Sequence, residues 1–246
     1  MADDFELYVA KSGKGHHPPI SLINELVCSY FLGCWGLKTP DATLLKLDTN
    51  LIEIPLSTTN KKSFYQDLCF GSKLVPEAIE VNDLANSKSA WQFNRLKSPF
   101  DLMWIGLFDI WVENDDRKPS NPNLLLKECA KTALFDIYAI DHAYTFYSTG
   151  YEVLVPSEVC QSYNDSILYS DFVKSVIPKV AKKQELDFKA SFWAKIERCK
   201  ENFDNFADAI PIEIGFSQHL RFYLSGFLFN EDRNKLVFQT FLERLN

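Results

Sequence analysis

The stretch Glu113-Asn114-Asp115-Asp116-Arg117-Lys118-Pro119-Ser120-Asn121-Pro122-Asn123 decides how the chain folds, together with Leu124-Leu125-Leu126 and, after a turn, Leu134 to Ile140 and Asp141-His142-Ala143. Upstream, Ser98-Pro99-Phe100-Asp101 reads as a helix start: Ser98 can cap, Pro99 loses no needed donor, and Asp101 sits where a capping box wants an acid. The helix it opens is expected to run to about Val112. After the polar loop, apolar runs at 124–126 and 134–140 around a turn at 127–132 predict an antiparallel hairpin. Residues just before its first strand and just after its second lie at one end of the pair, so Asp116, Asn121 and Asp141 are expected to be neighbours. Two carboxylates and an amide oxygen converging on one point suit magnesium, which takes its remaining ligands from water and nucleotide phosphates. The five-residue step from Asp116 to Asn121 matches that between a catalytic aspartate and a metal-binding asparagine in phosphoryl transfer. Asp115 competes for the catalytic position but stands six residues from Asn121. Alone, such a loop is an ordinary solvated connection. The capped helix before it and the hairpin leading to an aspartate give it a chemical reading.

Toward the N-terminus, Phe5-Glu6-Leu7-Tyr8-Val9-Ala10-Lys11 alternates with period two, which predicts a strand with Phe5, Leu7, Val9 and Lys11 on a core-side face. An ammonium there needs an anion. A helix is expected from about Ser21 to Leu32, stopped by Gly33 or Gly36; its Glu25 is the only carboxylate between Gly15 and Lys38. That helix has no Lys or Arg to mark a solvated face. A strand lysine followed by a buried helix glutamate is the pair that positions nucleotide phosphates in kinases. Each also has a plainer reading, Lys11 as a strand-end charge and Glu25 as an early-turn acid favoured by the helix dipole. Further strands are expected at 42–47, at 51–56 and near 67–70, and from about Ser157 the pattern is helical.

Composition narrows the function classes. With 246 residues, 26 Lys plus Arg against 33 Asp plus Glu, and a net charge of -7, the chain has no basic block of the size that tracks a phosphate backbone, so nucleic acid is not expected as a primary partner. The longest apolar stretches, 20–37 and 100–112, are broken by Asn24, Glu25, Ser29, Asp101 and Asp109, so no membrane span is expected. Met1-Ala2-Asp3-Asp4 is unlike a secretory signal. Six cysteines without a CxxC pair read as reduced thiols of a cytoplasmic protein, and no structural zinc is expected.

These residues resemble the HipA-like kinases, particularly their shorter single-chain branch, over most of the chain. Tyr8-Val9-Ala10-Lys11 is similar to the family's nucleotide-lysine strand. Asn24 to Cys28 and Gly36-Leu37-Lys38-Thr39-Pro40 are similar to its next helix and turn, and Phe70-Gly71-Ser72-Lys73 to a segment near the lobe junction. Trp111 to Asn121 resembles the catalytic loop, and Ala139 to Ala143 the metal-binding aspartate segment. The Asp-Arg-x-x-x-Asn form is also similar to that of phosphoinositide-type kinases. The resemblance implies an α+β, bilobed protein-kinase-like fold. Its parts would be a small N-terminal sheet-plus-helix lobe for nucleotide, 1–75, and a larger, mainly helical catalytic lobe, 76–246. It implies ATP and Mg2+ as cofactors and a protein Ser or Thr as phosphate acceptor. Carried over by position, Asp116 is the catalytic aspartate, Asn121 and Asp141 are metal ligands, Lys11 is the phosphate lysine and Glu25 its partner. Some family members act as toxins, which raises an antitoxin or partner subunit as a possible binding partner.

Relatives often carry Gly-Asn-x-Asp-Arg-His where this chain has Glu113 to Lys118, and Gly where it has Ala143. Long members place a phosphate-covering loop ahead of the lysine strand. Here ten residues precede Lys11 and no G-x-G-x-x-G occurs. Nucleotide would be covered by Ser12 to Gly15, held weakly, or supported by a separate polypeptide. A small-molecule or lipid phosphotransferase, a nucleotide-binding pseudokinase or partner subunit, and a structural domain with coincidental motifs remain alternatives.

Overall fold

The computed structural model describes residues 2–14, 20–52, 61–81, 95–148, 150–162, 166–176 and 178–245. Strands β1 (Tyr8–Lys11), β2 (Ala42–Leu45) and β3 (Cys69–Lys73) form one antiparallel sheet in the order β1-β3-β2, with Lys11 and Leu44 both opposite Phe70. Between β1 and β2 runs helix α1 (Ser21–Trp35). Gly36 stops it in the left-handed region (φ 73°), its N–H bonding Gly33 O while the N–H of Leu37 reaches Leu32 O, a Schellman closure that favours glycine.

A second antiparallel sheet has the order β4-β5-β6, from β4 (Ile79–Glu80), β5 (Leu124–Glu128) and β6 (Phe135–Ala139). The expected hairpin is β5-β6, with Leu124 opposite Ala139 and Glu128 opposite Phe135. Helix α2 (Asp101–Trp111) leads into the polar loop. The chain closes with α3 (Asp171–Val176), α4 (Pro178–Ala209), α5 (Gln218–Leu228) and α6 (Glu231–Leu245). The architecture is mixed α/β.

Helix α1 is buried nearly all round because β2 and β3 lie on one flank and α4 on another. Its last carbonyls, which have no partner within the helix, are taken by cations of α4: Lys195 bonds Trp35 O, and Arg198 Nη1 donates to Cys34 O at 3.2 Å. The helices share one apolar cluster that runs from α1 through α2 to α6. At its centre Trp35 stacks on Trp111 with ring centroids 5.3 Å apart and meets the edge of Phe108 at 5.2 Å. Such ring pairs contribute about 0.5–1.5 kcal/mol each beyond the area they bury. The Trp111 indole N–H is satisfied by Leu228 O at 3.1 Å.

Three expectations need correction. Phe5, Leu7 and Val9 do not face the core: they are 79%, 52% and 50% exposed, because β1 is an edge strand and Val9 and Lys11 line a cleft. The strand begins only at Tyr8, since Phe5 turns the chain with φ 64°. Ser98 does not cap α2. Its carbonyl takes the N–H of Asp101 at 3.0 Å in a preceding turn, and Phe100 occupies the cap position in helical conformation. Of the strand expected at 51–56, Leu51 ends a 3-10 turn (Thr49–Leu51), and 53–60 lie outside the described residues.

Gly106 lies in α2 where a Cβ would stand 2.6 Å from Cγ and Cδ2 of the buried Leu168. Alanine there gains about 0.5–1 kcal/mol of helix preference, but overpacking costs about 1–3 kcal/mol. Gly106→Ala is therefore expected to lower the melting temperature by about 2–4 °C, a net loss of about 1 kcal/mol in a chain of this size. A rise measured by calorimetry would show that α2 and the 167–169 turn are not in close contact.

Candidate active site

The cleft, about 330 Å³, is lined by Val9, Lys11, Glu25, Leu125, Ile140 and Asp141 among others. At the end of β1 the Lys11 ammonium lies 2.6 Å from Glu25 Oε1 and 2.8 Å from Asp141 Oδ1. Burial acts to lower the Lys11 pKa, but Glu25 and Asp141 outweigh it and raise it. Burial likewise works against the Glu25 charge, yet hydrogen bonding from His142 and the nearby ammonium hold its pKa down at about 2. Asp141 follows β6 with φ 58°, a left-handed conformation uncommon outside glycine.

The loop between α2 and β5 is organised by Arg117, which is fully buried. Its Nε lies 3.0 Å from both carboxylate oxygens of Asp109 in α2. Its Nη1 donates to the carbonyls of Pro122 and Asn123, and its Nη2 to that of Ile140 at 3.1 Å. One side chain thereby joins the end of the loop to the residue before Asp141. Asn114 adds a second tie, donating to Asp109 Oδ1 at 3.0 Å while its Oδ1 accepts the N–H of Asp116 at 3.1 Å. Burial raises the Asp109 pKa against the pull of Arg117.

Within the loop, Asn121 Nδ2 donates to the backbone carbonyl of Asp116 at 3.2 Å, and Asn123 Nδ2 holds Asp116 Oδ2 at 3.1 Å. Asp141 is joined to Lys11, and Arg117 links it to the loop through Ile140. Asp115, the competing candidate, is exposed, and its N–H reaches Tyr144 O at 3.2 Å. Ser12 Oγ bonds Phe64 O and accepts from the Lys14 N–H at 3.1 Å, so this part of the expected cover is tied to the 61–68 segment; Gly15 lies outside the described residues.

Sequence reasoning missed four groups. Asp109 and Arg117 form the buried pair just described, and the available signal was a carboxylate inside an otherwise apolar stretch, 102–112. Asn24 donates to Ala143 O and Thr145 O, both at 3.0 Å, fixing the chain after Asp141 to α1. His142 touches both Glu25 and Arg117. Glu113 and Arg233 form a buried pair at 3.1 Å across 120 residues, with Glu113 also taking the N–H groups of Cys160 and Gln161. No local pattern announces that pair.

A carboxylate and an amide oxygen are donors of the kind magnesium takes. Asp141 offers a carboxylate at the cleft, and Asn121 spends its amide N–H on Asp116 O, which turns its amide oxygen away from that bond. Two protein oxygens suffice when phosphates and water supply the rest. Among the described residues no group of three or more His, Cys, Asp or Glu could hold a metal by itself.

A family model described as HipA-like kinase matches residues 1–236. The chain belongs to that family. Among solved structures, the crystal structure of the Helicobacter pylori proinflammatory kinase CtkA is similar, with a TM-score of 0.58 at 13% identity, covering 99% of this chain and 90% of that one. No curated protein matches the chain. No helix among the described residues is long and apolar enough to cross a membrane.

The depressed Glu25 pKa makes the site a stability element above the ordinary carboxylate range. A carboxylate at about 2 when folded and 4.5 when unfolded stabilises the fold fully above pH 4.5, and that contribution is lost as pH falls through 2. Urea melts across this range are expected to show wild type more stable than Glu25→Gln above pH 4.5, with the gap narrowing toward pH 2. A pH-independent gap would mean that the Glu25 charge is not what stabilises.

Proposed function

We propose that the chain is an ATP- and magnesium-dependent kinase that transfers a phosphoryl group to a hydroxyl, of the Ser/Thr class in a protein substrate. The observation that carries this reading is Lys11 held between Glu25 and Asp141, at 2.6 and 2.8 Å, in a cleft of about 330 Å³. A volume of that order is in the range of small-molecule pockets. On this reading the chain is bilobed, with 1–75 a nucleotide-binding lobe and 76–246 a catalytic helical lobe.

Val9, Leu125 and Ile140 would hold the base by apolar contact, and Lys11 would hold phosphate oxygens by charge-assisted hydrogen bonds. Asn121 and Asp141 would hold the metal. Bound ATP and magnesium supply an activated phosphoryl group with part of its charge neutralised. Glu25 keeps Lys11 extended along the cleft, so the ammonium can exchange Asp141 for phosphate without losing its other partner. Asp116, one oxygen fixed by Asn123, would orient the acceptor hydroxyl and take its proton.

The test pairs nucleotide titration with transfer of labelled phosphate from ATP, to the protein itself or to proteins of a cell extract. Asp116→Asn is expected to leave the ATP Kd within a few-fold of wild type while lowering transfer by about 100-fold, roughly 2.7 kcal/mol of transition-state stabilisation. Asp141→Asn is expected to abolish the magnesium dependence of nucleotide binding. Tight ATP binding by wild type without transfer to any acceptor would replace this reading by a nucleotide-binding pseudokinase. Wild-type rates in Asp116→Asn would move the base to Asp115.

A further inference from the structure

His142 is buried between charged groups from distant parts of the chain. Its backbone N–H donates to Glu25 Oε2 at 3.1 Å, and its ring Nδ1 lies 3.8 Å from the same oxygen. Its Nε2 is 2.8 Å from Arg117 Nη2. A guanidinium can only donate, so Nε2 must present its lone pair and the ring hydrogen must sit on Nδ1, facing Glu25. The edge of the ring also meets Phe108, with centroids 6.4 Å apart at 88°, which limits its rotation.

The two contacts of His142 differ in what they ask of the side chain. The bond to Glu25 comes from the backbone, and any residue but proline would make it. The bond from Arg117 needs an acceptor at the position of Nε2. Arg117 holds the carbonyls of Pro122, Asn123 and Ile140, whereas Glu25 holds Lys11. An unbroken path therefore runs from Lys11 through Glu25, His142 and Arg117 to the loop that carries Asp116 and Asn121.

We propose that His142 is a positioning residue that locks the phosphate-holding Lys11–Glu25 pair to the phosphoryl-transfer loop, with the bond from Arg117 to its Nε2 as the joint. This rests on the kinase reading above and adds a group that touches neither substrate nor metal.

Three variants separate the contacts. In His142→Gln the longer amide can place its oxygen where Nε2 lay, in His142→Asn the shorter amide reaches only the Nδ1 position, and His142→Phe keeps the ring with neither. ATP affinity, kcat for transfer and melting temperature are measured for all. The phenylalanine variant is expected to bind ATP within about threefold of wild type but to lose about tenfold or more in kcat, as misplacing a catalytic group does. The glutamine variant should recover most of that rate and the asparagine variant should not. If the phenylalanine variant fails to fold, the glutamine–asparagine comparison carries the test. A glutamine variant no faster than the asparagine one, with wild type active, would overturn the proposal and leave the kinase reading standing. A wild type that transfers no phosphate would remove both. Independently of activity, nitrogen NMR should assign to His142 the neutral form with its hydrogen on Nδ1, and the opposite tautomer would also overturn it.

Discussion

A guanidinium sealed from water is the constraint around which this protein is arranged. Arg117 has five N–H donors and no accessible surface, so acceptors must come to it. They come from helix α2 (Asp109), from the end of the loop (Pro122 and Asn123), from the end of β6 (Ile140) and from His142. Removing one partner of such a buried pair costs about 3–5 kcal/mol, far more than an exposed ion pair contributes. One side chain thus ties the end of the loop to α2 and to the residue before Asp141. Asp116 and Asn121 inherit their places from it, and Asp141 leaves β6 at a fixed point.

The second anchor is α1. Its burial leaves Glu25 no water, so the carboxylate is satisfied by Lys11 on one oxygen and the N–H of His142 on the other. That division ties a strand, a helix and the aspartate segment together. The third anchor enters from the C-terminus, where Arg233 of α6 reaches Glu113 at the mouth of the loop. Arg244 of the same helix bonds Gln161, whose amide donates to Asn114 O at 2.7 Å. Arg117 and the C-terminal helix thus hold residues 113–123, while α1 holds residues 142–145.

Much of this was legible because it depends on short-range periodicity. The hairpin β5-β6 follows from two apolar runs, and expecting Asp116, Asn121 and Asp141 toward one end of it needs only strand geometry. The Lys11–Glu25 pair was legible by elimination, since α1 offers one carboxylate and no cation. What could not be read has long-range causes. Arg117 sits among Asp, Lys, Pro and Ser, where a charge is ordinarily solvated, and only its acceptors show that it is buried. Of the face expected from Phe5 to Lys11, only Val9 and Lys11 lie on the strand, because Phe5 turns the chain before it; and alternation says only which residues share a face, never whether that face meets core or cleft. The Glu113–Arg233 pair leaves no local trace at all.

The apolar cluster that passes from α1 to α6 without a break has a dynamic meaning. A helix with its own small core could detach while the rest stayed folded, because little apolar surface would be wetted. Helix α1 cannot do so: loosening it unstacks Trp35 from Trp111 and strips Lys195 and Arg198 from its last carbonyls. Its amides should therefore exchange with solvent only in the rare openings that also release α2, as one cooperative unit rather than a hinged part. In this protein the glutamate helix is a fixed wall of the cleft, and the end of β1 is tied to it through Lys11.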